Sequence, residues 1–278
     1  MRYNCTPMMK PVSHWSRLVL AALLGLVLAG CSSNQDYDPT RGWSAERLYE
    51  EAKQAMDNRS FQEAIDLFEK LEARYPFGPL ARQAQLDIAY SYYQFGQHDA
   101  AIAAADRFIK LHPAHEGAAY AHYLRGLVRY NHSRGFINDI VSRDMAQMDQ
   151  SLLRKAFNDF ETVVTEHGDS RYAEDAHQRL IYLRNQMARH ELQTAQFYFR
   201  RSAYAATVNR IEYLIEHYER APIVTDALAL QARAYDEMQM TDLAADTRQL
   251  LAQNGAQGQA TDTQRRPPDA DAPAPPSQ

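Results

Sequence analysis

The chain has 278 residues, a formal net charge of −5, 45% hydrophobic residues and two cysteines. Three of its basic residues, Arg2, Lys10 and Arg17, lie in the first thirty positions, so from Cys31 onward 27 basic side chains face 35 acidic ones, a net of −8. That balance excludes a general basic surface for nucleic acid. The length allows one or two domains.

The N-terminal stretch comes first. Arg2, Lys10 and Arg17 precede an apolar run from Leu18 to Ala29, followed by Gly30 and Cys31. A positive region, a short apolar region and small residues at a cleavage site make a secretory signal. Twelve helical residues reach about 18 Å, well short of the roughly 30 Å of a bilayer core. The segment 1–30 therefore reads as a signal peptide and not as a membrane span.

The tetrapeptide Leu28-Ala29-Gly30-Cys31 resembles the bacterial lipobox. That resemblance implies that Cys31 carries a diacylglycerol, becomes the new N-terminus and receives an N-acyl chain. Several acyl chains suffice for stable anchoring where one does not. No other cofactor is expected. Ser32 after the cysteine implies the outer membrane by the same resemblance. Cys5 lies in the leader, so the mature chain has one cysteine and no internal disulfide. Residues 31–43 read as a tether.

From about 44 to 253, Pro and Gly are confined to short joints: PFGP at 76–79, HPAHEG at 112–117, HGDS at 167–170, and Pro222. The segments between them are rich in Ala, Leu, Glu, Gln and Arg, which favours helices. The joints conceal a repeat. SFQEAIDLFEKLEARYP (60–76) aligns with HDAAIAAADRFIKLHP (98–113), so Ala64-Ile65 matches Ala101-Ile102 and Pro76 matches Pro113. The offset is 37, and it also relates Ala52, Ala89 and Gly126. In a second register Ala195 matches Ala232 and Tyr198 matches Tyr235. The pattern resembles the tetratricopeptide repeat, in which small residues let paired helices approach closely. It points to an all-α, right-handed solenoid of about five such helix pairs, starting near 45, 82, 119, 188 and 225. The third carries an insert of about eighteen residues around 133–150, whose Phe136, Ile137, Ile140 and Val141 argue for an ordered excursion. Ser170 to Ala221 lacks Gly and Pro, so a long helix over about 171–201 is expected, with Gly168 as a stop and Asp169 or Ser170 as N-cap. The last stretch, 254–278, is rich in Gln, Pro, Ala, Asp and Thr and reads as a disordered tail.

Catalytic patterns are scarce. His112, His115 and Glu116 stand around a proline in a joint and read as solvated loop residues instead of metal ligands. The Ser, His and Asp of HGDS are neighbours in sequence, where a triad must converge in space. No phosphate loop, paired cysteines or HExxH occurs, and no enzyme is expected. The tyrosines say more. The second, fifth, ninth and twelfth positions of each first helix line a concave groove in repeats of this kind. Tyr49, Tyr90, Tyr93, Tyr120, Tyr123 and Tyr130 occupy such positions. Tyrosine gives large contact area at small entropy cost, with a hydroxyl for peptide backbone. The alternative is that several of them pack between helices.

The strings ARYPFGPLARQAQLDIAYSYY, DRFIKLHP, YLRGL, AFNDFETVV and NRIEYLI, in this order and spacing, resemble the BamD (ComL) family of lipoproteins of the outer-membrane β-barrel assembly machinery. The resemblance runs from the lipobox to about residue 252. It implies a periplasmic scaffold whose N-terminal repeats, about 45–168, receive unfolded outer-membrane proteins. The C-terminal repeats, about 170–253, would dock the barrel-forming subunit BamA beside the other lipoproteins of the complex. Arg210 matches a basic position that the family uses against an acidic residue of BamA; pairing with Glu212 or Glu216 is the alternative. The older name leaves a link to peptidoglycan or a competence system as a second reading.

Overall fold

The computed structural model describes residues 38–134, 150–258 and 273–276. Residues 38–43 belong to a unit separate from Ser44 onward, and in them the Asp38 carboxylate accepts from the backbone N–H and hydroxyl of Thr40, at 3.0 and 2.7 Å. Cys31 and the insert residues 135–149 lie outside the described residues.

Among the described residues from Ser44 onward, all regular structure is helix. In chain order the helices are α1 (Ala45–Asp57), α2 (Phe61–Arg74), α3 (Pro79–Gln94), α4 (His98–Leu111), α5 (Gly117–Arg134), α6 (Gln150–Glu166), α7 (Ala173–Arg200), α8 (Tyr204–Tyr218), α9 (Val224–Glu237) and α10 (Thr241–Gly258). Each packs on its successor, and together they make five helix pairs. Local chemistry sets several boundaries. Ser44 caps α1 by accepting from the Arg47 N–H. Gly78, at φ +107°, delivers the chain to Pro79 at the first position of α3, where the missing N–H has no helical partner to lose.

The 37-residue period is visible in the backbone itself. Four pairs turn through one residue with positive φ: Arg59 at 61°, Gly96 at 80°, Ser202 at 58° and Gln239 at 61°. Arg59 and Gly96 stand one period apart, as do Ser202 and Gln239. Each turn closes with the following N–H returning to the carbonyl five residues back: Ser60 to Ala55, Gln97 to Tyr92, Ala203 to Tyr198 and Met240 to Tyr235. This is the Schellman closure of a helix C-terminus.

Small residues stand where the paired helices cross. Ala52, Ala89, Ala195 and Ala232 in the first helices are buried, as are Ala64, Ala101, Ala156, Thr207 and Ala244 in the second. Gly126 has the same role in the third pair, where a Cβ would come within 2.9–3.1 Å of the Phe160 ring. Thr207 adds a bond that the sequence reading did not assign: its hydroxyl approaches the carbonyls of Ala203 and Ala195, at 3.2 and 3.4 Å, joining α8 to α7. Leu71, Phe108, Val163 and Leu214 recur at one register of the second helices and are fully buried. Burying each such side chain contributes about 1.5–3 kcal/mol.

Three expectations change. Helix α7 begins at Ala173, with Tyr172 at the capping position, so neither Asp169 nor Ser170 is its N-cap. Residues 254–258 continue α10, through Gly255, instead of beginning the tail. Residues 273–276 are placed against the repeats, through backbone carbonyls that side chains can reach.

Candidate functional site

The first helices of pairs one to three, α1, α3 and α5, carry the six tyrosines, three of them half-buried and three buried. Tyr49, Tyr90 and Tyr93 are half-buried. The Tyr49 hydroxyl donates to Asp87 at 3.0 Å, and Lys53 and Gln83 converge on the same carboxylate, each at 3.4 Å. Asp87 is fully buried. Burial raises its pKa to about 6 against the pull of Lys53, and burial and Asp87 together raise that of Tyr49. Tyr90 sets its ring edge-on to Phe61, at 6.4 Å. The Tyr93 oxygen accepts from the Asn131 amide at 2.5 Å.

Tyr120, Tyr123 and Tyr130, expected along the groove surface, are buried instead. The cause is α7. Its repeat register starts near 188, yet the helix begins fifteen residues earlier, and those first turns pack over α5 and α6. Tyr123 donates to Asp175 at 2.6 Å, and Arg179 reaches the same carboxylate at 2.5 Å. The Tyr172 ring stacks on Tyr123 at 5.1 Å and tilts against Tyr120 at 5.4 Å. Tyr130 meets Tyr182 edge-on, with the Arg179 guanidinium 5.7 Å from its ring centre. Burial raises the pKa of both Tyr120 and Tyr123.

The joint histidines are partly exposed and also make ring contacts. The rings of His112 and His115 pack on Phe108, at 5.1 and 5.7 Å, and the Nδ1 of His115 accepts from the Gly117 N–H. Among the described residues, no group of three or more His, Cys, Asp or Glu could hold a metal ion. The sequence reading passed over Phe77, whose ring is 90% exposed in the α2–α3 joint. Its signal was the PFGP string itself, an aromatic residue held between two prolines.

Arg210 stands apart, on α8. Its Nη1 donates to Glu191 of α7 at 2.9 Å, so its partner is neither Glu212 nor Glu216. The guanidinium side chain is 37% exposed while Glu191 is nearly buried, which leaves part of the cation facing solvent.

A family model described as YfiO, outer membrane lipoprotein, matches residues 42–251. The chain belongs to the YfiO family. A relative from Neisseria gonorrhoeae, named outer membrane protein assembly factor BamD, is 38% identical over 242 residues, covering 86% of this chain and 91% of the relative. BamD of Vibrio cholerae is 36% identical, covering 84% of this chain and 97% of its own length. BamD of Xylella fastidiosa strain Temecula1 is 36% identical, covering 85% and 81%. The YfiO match includes all six tyrosines and Arg210, and ends before residues 273–276. No helix of this YfiO-family chain, among the described residues, is long and apolar enough to cross a membrane.

Proposed function

We propose that the chain is a lipid-anchored, non-enzymatic scaffold of the outer-membrane β-barrel assembly machinery, held at the periplasmic face of the outer membrane through acylated Cys31. Pairs one to three receive unfolded outer-membrane proteins, and pairs four and five dock the periplasmic domains of BamA. The observation that supports this reading is the separation of two unlike surfaces along one solenoid. Tyr49, Tyr90 and Tyr93 offer half-buried rings to an extended apolar chain on α1 and α3. Arg210 offers a partly exposed cation on α8 to a folded acidic partner. In a repeat array each unit contacts its neighbours alone, so the two ends can hold different partners.

Site-specific photo-crosslinking in whole cells tests the assignment. A crosslinker at position 90 is expected to capture nascent barrel proteins, and one at position 210 to capture BamA. Recovery of muropeptides from both positions, with neither partner present, would instead support a link to the cell wall.

A further inference from the structure

Beyond the family match, four residues of the C-terminal stretch rest on the repeats. The hydroxyl of Tyr120, on a buried ring, donates to the carbonyl of Pro273 at 3.2 Å. The guanidinium of Arg171 donates to the carbonyl of Ala274, also at 3.2 Å. Pro275 is buried and Pro276 half-buried. The seat is made by Tyr120 of α5 together with Arg171 and Tyr172 at the entrance of α7. The three form one stack, with Tyr120 against Tyr172 and the Arg171 guanidinium 5.0 Å above the Tyr172 ring centre.

The chemistry of seat and segment matches. Pro273, Pro275 and Pro276 have no backbone N–H and hold φ near −65°. The residue before each proline is driven to an extended conformation. Such a segment presents carbonyl acceptors along a stiff backbone with little entropy left to lose, the form in which aromatic grooves take proline-rich peptides. Tyr120 and Arg171 supply donors, one for each of two successive carbonyls. The Arg171 guanidinium has donors alone and offers no acceptor to the free N–H groups of an ordinary chain. We infer that the Tyr120–Arg171–Tyr172 cleft is a binding site for an extended, proline-containing peptide, and that residues 273–276 of the same chain are its resident ligand, which an incoming peptide must displace.

What displacement means for barrel proteins rests on the function proposed above; the seat itself does not. A segment joined covalently to its seat acts at an effective concentration on the order of 1 mM, so one with a dissociation constant of about 0.1 mM would fill the seat about nine-tenths of the time and weaken a competitor about tenfold.

The test uses the purified full chain and a labelled synthetic peptide of residues 269–278 as probe. Pro275→Asp in the full chain places a charge where a ring is buried and unseats the resident segment without touching a helix. The probe is expected to bind this variant about tenfold more tightly than the natural chain. Adding Tyr120→Phe and Arg171→Met, which remove both donors and leave the Tyr120 ring in place, is expected to reverse that gain. Equal affinity for the natural chain and Pro275→Asp, or binding indifferent to the loss of both donors, overturns the inference. A barrel-protein C-terminal peptide is titrated alongside. If it binds neither chain while the probe behaves as expected, the seat stands and the substrate role proposed above fails.

Discussion

Asp159→Ala is expected to destabilise the chain by about 3–5 kcal/mol, the usual loss when one partner of a buried ion pair is removed. Asp159, on α6, is 2% exposed. One of its oxygens accepts from Arg125 Nε and Nη2 at 2.9 and 2.6 Å, and the other from Arg129 Nη1 at 2.5 Å. Arg125 also reaches Asp106 of α4. The cluster thus joins α4, α5 and α6 next to the Gly126–Phe160 crossing. Alanine takes the shared carboxylate from two guanidinium groups, each on a side chain only 17% exposed, and leaves Arg125 with Asp106 alone. Replacing all three charges by apolar residues of similar volume (Arg125→Met, Arg129→Met, Asp159→Leu) is expected to recover most of the loss, since no buried charge is then stranded. Urea unfolding midpoints at one pH compare the two variants. A loss below 1 kcal/mol for Asp159→Ala would show that water reaches these arginines.

Asp87→Asn is expected to remove a stability slope between about pH 4 and pH 6. Burial raises the folded-state pKa of Asp87 to about 6, above its ordinary 3.8. Across that window the folded chain binds the proton more tightly than the unfolded chain, so this group's contribution falls as pH rises and levels off above 6. A displacement of roughly two pKa units corresponds to about 3 kcal/mol. The natural chain should therefore lose about 2–3 kcal/mol relative to Asp87→Asn between pH 4 and pH 7, as measured by denaturant unfolding at each pH. Taking the difference between two chains that share every other carboxylate isolates Asp87. A difference that stays flat with pH would mean that Lys53 and Tyr49 compensate its burial fully.

The sequence made the repeat legible because its period is enforced by sterics. Ala52, Ala89 and Gly126 must be small where helices cross, and the five pairs fall at the slots those residues mark. The long helix before Tyr204 was legible for a similar reason, since no Gly or Pro lies between Ser170 and Ala221. What α7 does with its extra turns was not legible. Residues 173–187 belong to no repeat slot, so their register over Tyr123 and Tyr130 depends on packing between distant segments. The same applies to Arg210, whose partner Glu191 lies nineteen residues away on another helix, whereas Glu212 and Glu216 were simply nearer in the chain. The seating of residues 273–276 was hidden by composition. A Pro-rich stretch without apolar periodicity cannot build a core, but that does not prevent its carbonyls from meeting donors on an existing surface.

Two surfaces serving two partners is the central claim, and the structure determines which variants can test it. Tyr123 is buried and bonded to Asp175, so truncating it would disturb the fold as well as the groove. Arg210→Glu would set a second carboxylate against Glu191. The discriminating pair is therefore Tyr90→Ala with Tyr93→Ala on α3, against Arg210→Gln with Glu191→Gln on α8 and α7, each titrated with BamA periplasmic domains and with a barrel-protein C-terminal peptide. The Arg210 pair is expected to weaken BamA binding at least tenfold, about 1.4 kcal/mol, and leave peptide affinity within twofold. The tyrosine pair is expected to do the reverse. If both pairs lower both affinities equally, the partners share one surface and the two-ended account is wrong.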